Sequence, residues 1–329
     1  MVIQDKPYFL TDLKPTDRVR APGNTANSSG GAMRVFGLGS DIKGSPFYLE
    51  FAWVGATTVP DSRGADCINN SDEFILHLGC DLEYSPELGE DLGADIEYLL
   101  NGQRLVLNTT SGLFLPRGTR QGPVTWKSCR RPHVRIVLVI GKSNPEDIWS
   151  PLTKGENKIP RARAAANFIP KKYLVRRPAY EVVGVTAIKN RGGPKGPSLT
   201  LMSNSLVPGS NIYIEGGWVL GMPDPNPHIF EHSHSYEEIV IHFGNDFSNP
   251  EELGGEIDFY IDGLPQKVTK TSAAYISSEI KHGPLVWKDY RSPHFEMAIL
   301  PGAGTLDAAD PGGHRKRKRI ERRRSEKHG

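Results

Sequence analysis

Several things are scarce in this chain of 329 residues, and each absence removes a class of function. No run approaches eighteen apolar residues, so no transmembrane helix is written in the sequence. The opening MVIQDKPYFLTDLKP lacks the apolar stretch of a secretory signal, and a cytoplasmic protein is expected. Only three cysteines are present, Cys67, Cys80 and Cys129, an odd number spaced like neither a disulfide framework nor a CxxC knuckle. Reduced thiols fit that pattern, and structural zinc held by cysteine does not. Helical periodicity is scarce as well, confined to PRARAAANF near the middle.

Net positive charge is also scarcer than the total of +2 implies. Residues 315–327, RKRKRIERRRSEK, hold nine Lys or Arg and two Glu, a surplus of seven that leaves the remainder at −5. Such a block reads as a solvated, disordered tail, with a nuclear address or a weak tether to nucleic acid as its sharper meaning. The body offers no interleaved basic and aromatic surface, so nucleic acid is not expected as the main partner.

What is present is a repeat. GPVTWKSCRRPH (122–133) and GPLVWKDYRSPH (283–294) share seven of twelve residues at an offset of 161. GSPFYLEFAWVG (44–55) matches GSNIYIEGGWVL (209–220), and EFILHLG (73–79) matches EIVIHFG (238–244), both at an offset of 165. The chain is a tandem duplication, and the first copy carries four extra residues in the loop CDLEYSPELGEDLG. Each copy is built of short runs rich in β-branched and aromatic residues, bounded by Gly, Pro, Asn or Asp. The expected fold class is all-β, two tandem jelly-roll barrels. The boundaries read as an N-terminal extension over 1–30, a first barrel over 31–145, a connector over 146–195, a second barrel over 196–305 and the basic tail over 306–329.

The densest chemistry lies in HIFEHSHSYEEIVIHFG (228–244), with four histidines and three glutamates in a chain that has ten histidines. On a strand, His232 and His234 would project side by side. Glu238 keeps their parity if the strand runs on, or reaches back after a turn at SYE. Two imidazoles and a carboxylate suit a divalent first-row metal, and His282 in SSEIKHGPLVW is a candidate for a fourth ligand from a distant strand.

An HxHx3E pattern followed some forty residues later by a histidine resembles the paired motifs of the cupin superfamily, and the duplication resembles a bicupin. The likeness covers about residues 31–305. Carried over, it makes His232, His234, Glu238 and His282 the metal ligands of the second barrel, with one divalent metal per chain, iron or manganese favoured and zinc or nickel next. The family's usual Pro-x-Gly before the last histidine is here Ser277 and Glu279. In the first copy Pro116 and Gly118 are kept, but Cys67, Asn69, Glu73 and Gln121 stand in the ligand places, which predicts a barrel without metal.

His242 has a counterpart in His77 and is expected to have a packing or supporting role, as are Trp126 and Trp287. His228 and Glu238 are the candidates for moving protons. The resemblance covers dioxygenases, decarboxylases, isomerases and noncatalytic binding or storage proteins. The expected function is a metal-dependent enzyme acting on a small oxygenated organic compound, a dioxygenase first. A redox-inert hydrolase, lyase or isomerase of a cyclic or β-dicarbonyl substrate comes second, and a nonenzymatic binder third. A homo-oligomer is expected, since the first barrel is free to pair.

Overall fold

In the computed structural model, residues 8–13, 33–38, 47–55, 66–82, 91–152, 168–176 and 199–310 are described. The helix expected in PRARAAANF (160–168) falls, apart from Phe168, outside the described residues, and so does the basic block 315–327. The chain divides into two compact units, one of Met1–Asp5 and Leu13–Pro178, the other of Lys6–Asp12 and Ala179–Gly329. No helix among the described residues is long and apolar enough to cross a membrane.

In the first unit a six-stranded antiparallel sheet runs in the order Leu174–Arg176, Ser111–Leu115, Glu73–Gly79, His133–Ile140, Phe47–Val54, Met33–Leu38. A second sheet is ordered Thr125–Cys129, Ala94–Leu100, Arg120–Gln121, Cys67–Asn69, Trp149–Pro151, with Gln103–Leu107 beside Ala94–Leu100. Apolar side chains of both sheets close one core, among them Tyr48, Val54, Ile75, Leu113, Trp126 and Val137. Phe47–Val54 is buried along its whole length, so its sequence does not alternate, and its one charged residue, Glu50, is buried against Arg135.

The second unit repeats the large sheet in the order Tyr8–Asp12, Ser272–Ile276, Glu238–Gly244, His294–Pro301, Ile212–Val219, Leu199–Met202. Its smaller sheet is Leu264–Lys270, Glu252–Ile261, His282–Tyr290. The two copies therefore share one antiparallel register: Ile75 faces Leu113 in the first, and Val240 faces Ala274 at the equivalent place in the second. Tyr8–Asp12, within the region read from sequence as an extension, is an outer strand of the second unit, paired to Ser272–Ile276.

A short helix closes each copy, α1 at Pro145–Ile148 and α2 at Leu306–Ala309. Asn144 caps the first by accepting from the Glu146 amide, and Thr305 caps the second by accepting from the Ala308 amide. The second helix lies where the sequence reading placed the start of the tail. Its cap and its buried Leu306 and Ala309 fix it to the barrel.

Candidate metal centre

His232 and His234 are not on a regular strand. They lie in an extended segment held by two isolated bridges, His228 to Leu285 and His232 to His282. The chain then turns through Ser235 and Tyr236, and Glu238 opens the strand Glu238–Gly244. Glu238 thus reaches the histidines after a turn, one of the two routes the spacing allows. His282 arrives at the start of His282–Tyr290, and its backbone exchanges both hydrogen bonds with His232 at 2.9 Å.

One donor atom from each of His232, His234, Glu238 and His282 lies within 4.8 Å of the other three. The ring orientations are set by the backbone. Nδ1 of His232 donates to the Phe230 carbonyl at 2.8 Å, that of His234 to Tyr236 at 2.8 Å, and that of His282 to Ile280 at 2.9 Å. A carbonyl only accepts, so each Nδ1 carries the hydrogen and each Nε2 presents a lone pair. Nε2 of His282 faces the Glu238 carboxylate at 2.7 Å and that of His234 faces it at 3.2 Å. Lone pairs held this close to a carboxylate need a cation among them, either a proton or a metal ion.

Nε2 of His232 is buried with no hydrogen-bond partner, an orphan that a metal would satisfy. Burial, together with the neighbouring His282, pulls the His232 pKa from 6.5 down to about 4, so its ring stays neutral and ready to ligate. Burial alone would raise Glu238, but without a metal a protonated His282, with hydrogen bonds from His234 and His282, outweighs it and holds the carboxyl well below its usual range. The donor set and its geometry fit a divalent metal.

A pocket of about 380 Å³ opens beside these ligands, lined by Ser233, Ser235, Tyr236, Glu279, Asp307 and Asp310 along with His232 and His234. The Tyr236 ring stacks on His234 at 4.2 Å, and its hydroxyl donates to the Ala308 carbonyl at 2.8 Å, which ties the ligand loop to α2. Apart from His232 and His234, only Glu279 of these residues is singled out by the family pattern. The turn conformation is retained there: Glu279 has φ of 65°, at the place where Gly118 of the first copy has φ of 87°.

The first barrel has the same backbone meeting point and different chemistry. Cys67 pairs with Gln121 across strands as His232 does with His282. The Asn69 amide donates to Glu73 at 2.8 Å, the Trp149 indole donates to it at 3.2 Å, and Gln121 donates both to Glu73 and to Asn69 Oδ1. Even so, burial keeps the Glu73 pKa raised, and burial pushes the Cys67 thiol up to about 12. The single carboxylate is thus consumed by amide and indole donors. Trp149 seals the place, its ring edge-on to Tyr48 at 5.2 Å, and Arg135 is buried nearby with its guanidinium 3.1 Å from Glu50. All three cysteines are buried and unpaired with one another.

His228 is not among the converging donors, and its ring packs edge-on to Trp287 at 6.0 Å. Trp126 and Trp287 are core residues, donating to His133 at 3.2 Å and His294 at 2.9 Å. His77 is buried with Nε2 2.7 Å from the Tyr98 hydroxyl, while His242 sits beside Phe259, the residue at Tyr98's place. Trp149, Arg135, Asp307 and Asp310 were not picked out from sequence. The 161-residue offset was the available signal, since it sets Trp149 against Asp310 and Arg135 against Glu296.

No family model matches the sequence, and no curated protein is similar to it in sequence. Solved structures are similar in fold. The 7S globulin of Momordica charantia has a TM-score of 0.53 at 10% identity, with 91% of this chain and 85% of that one covered. Vicilin of Corylus avellana, hazelnut, has a TM-score of 0.52 at 10% identity, covering 90% and 86%. Oxalate decarboxylase from Bacillus subtilis has 0.50 at 11% identity, covering 90% and 76%. A globulin, a vicilin and a decarboxylase share this architecture, so the likeness speaks for fold and not for reaction. The chain is all-β and shares the duplicated jelly-roll fold of these structures.

Proposed function

We propose that the chain is a metal-dependent enzyme whose second barrel holds one divalent ion, iron or manganese, on His232, His234, Glu238 and His282. We propose further that it acts as a dioxygenase on a small oxygenated organic compound. The carrying observation is the convergence of three backbone-oriented Nε2 lone pairs and an ionised carboxylate beside a pocket of about 380 Å³. A metal bound there would supply a Lewis acid for chelating oxygens and, if iron or manganese, a site for oxygen chemistry.

The chain's own residues narrow the reaction class. Glu238 converges with the three imidazoles, and as a ligand of the metal it would be a poor proton acceptor. His228 lies against Trp287 and is not among the residues lining the pocket. Chemistry that needs no protein base is therefore favoured over a proton-shuttling isomerase or lyase. The Nδ1 hydrogen bonds keep the imidazoles oriented, and the tie from Tyr236 to α2 holds the loop that carries two of them.

The test is metal content after dialysis, with oxygen uptake measured on catechols and on β-diketones. One metal per chain with substrate-dependent oxygen uptake is expected. Turnover of a β-diketone without oxygen uptake would establish the redox-inert reading instead. An absence of bound metal would end both.

A further inference from the structure

Three members of the donor set are fixed by the sheet, His232 and His282 through their paired backbones and Glu238 at the start of a strand. His234 stands apart, since residues 233–237 belong to no strand. Its carbonyl accepts from the Glu279 amide at 2.7 Å, and its ring is gripped twice by Tyr236. The Tyr236 carbonyl takes the Nδ1 hydrogen at 2.8 Å, and the Tyr236 ring lies over the imidazole with centroids 4.2 Å apart and planes 12° from parallel. The same side chain ends in a hydroxyl bonded to the Ala308 carbonyl at 2.8 Å and to that of Ala309. Those two carbonyls are among the last of α2, which have no partner within the helix. One residue thus links an imidazole of the site to α2.

In turn α2 is a wall of the pocket, through Asp307, Ala308, Ala309 and Asp310. It is a single turn, reached from the strand His294–Pro301 across Gly302, Ala303 and Gly304, and both glycines have positive φ, 81° and 70°. Gly302 donates to the Asn211 carbonyl and Gly304 accepts from the Asn204 amide, which anchors the base from which the turn can pivot. Beyond that base, Leu306 and Ala309 are the buried residues of α2, packed in the cluster of Tyr213 and Leu300.

The first copy ends its helix in another way. Ser71 stands in the place of Tyr236 and Ser143 in the place of Gly304. The chain leaving α1 there pairs Trp149 with Asn69 and Pro151 with Cys67, so a ladder closes over the places of the ligands. The tyrosine and the second glycine occur in the copy whose donors converge.

We infer, on the metal-dependent reading above, that α2 is a flap over the pocket and that Tyr236 is its latch and a positioning residue for His234. With the hydroxyl on Ala308 and Ala309 the flap is down and the imidazole is held in place. With the hydroxyl released the pocket widens and the His234 ring loses its cover. Pocket access and metal retention are then one equilibrium, set by Tyr236.

The experiment uses the full chain loaded with Mn(II) and follows transfer of the ion to excess EDTA by the EPR signal, with melting curves in parallel. Tyr236→Phe keeps the stacked ring and removes the hydroxyl, and should speed release roughly tenfold, the scale of one or two lost hydrogen bonds, with Mn(II) per chain at saturation unchanged. Leu306→Ala loosens the flap without touching Tyr236 or His234 and should also speed release. Ile257→Val, in the core cluster apart from α2, should lower the melting temperature and leave the release rate as it was. Release from Tyr236→Phe or Leu306→Ala at the parent rate would overturn the latch and leave the metal reading standing. So would equal acceleration in Ile257→Val, or a Tyr236→Phe chain that takes up no Mn(II), which would place the hydroxyl in metal uptake. A parent chain that takes up no Mn(II) would overturn the metal reading and the latch together.

Discussion

The two barrels of this chain run one strand order twice and fill it differently. Where strands meet at Cys67 and Gln121, the Glu73 carboxylate of the first barrel accepts hydrogen bonds from Asn69, Gln121 and Trp149. Where they meet at His232 and His282, the second turns three imidazole lone pairs and Glu238 toward one point. The packing follows the same division. Leu113 and Val137 lie in the core of the first, and Ala274 and Ala298 occupy the equivalent places of the second. A barrel can therefore keep its packing without such a donor set, provided each buried polar group finds a partner inside the protein.

The comparison breaks most sharply at the ligands. His282→Ala should take bound metal from close to one per chain to near zero after dialysis, and abolish turnover with it, because the remaining set has only two imidazoles and a carboxylate. Retention of full metal would show that His282 is not a ligand.

Conversion of the first barrel would sharpen it. Cys67→His, Asn69→His and Gln121→His combined with Trp149→Asp should add up to one metal per chain, whereas the three histidine changes without the Trp149 change should add little. Metal analysis checks both. Uptake in the presence of Trp149 would show that the indole does not seal the site.

Trp149→Ala alone should cost about 3–5 kcal/mol of stability, as for other large-to-small changes of buried aromatics. It also removes a donor from Glu73. Chemical denaturation would give the stability, and metal content should not change.

A pH effect of similar or smaller size belongs to the second barrel without metal. The His232 pKa is depressed from 6.5 to about 4 in the folded state, so below about 6.5 the unfolded chain binds a proton that the folded one does not. Stability should fall as pH drops from about 6.5 to about 4, by up to roughly 3 kcal/mol. Metal-loaded protein should resist that fall, and melting curves on both forms measure it. The smallest change is Gln121→Ala, about 1–3 kcal/mol from the donors lost to Asn69 and Glu73, with metal content again unchanged.

The amino-acid order determined by itself whatever is local or repeated. The duplication is visible because GPVTWKSCRRPH and GPLVWKDYRSPH keep the same turn and core residues, and the all-β reading follows from short β-branched and aromatic runs. The candidate donor set was legible for a related reason. The HxHx3E spacing and the aligned His282 are one-dimensional patterns, and the same alignment marked Cys67, Asn69 and Gln121 as poor ligands. What only the tertiary structure decided depends on side chains far apart in sequence. His232 and His234 sit in an extended loop because bridges to His282 and Leu285 hold it there. Trp149 reaches Glu73 from 76 residues away, and Arg135 reaches Glu50 from 85 away. The Asp310 side of the pocket exists because a helix capped by Thr305 brings the chain back beside His232 and His234. Periodicity carries no information about such meetings, since strand pairing across the barrel fixes them and not the spacing of neighbouring residues.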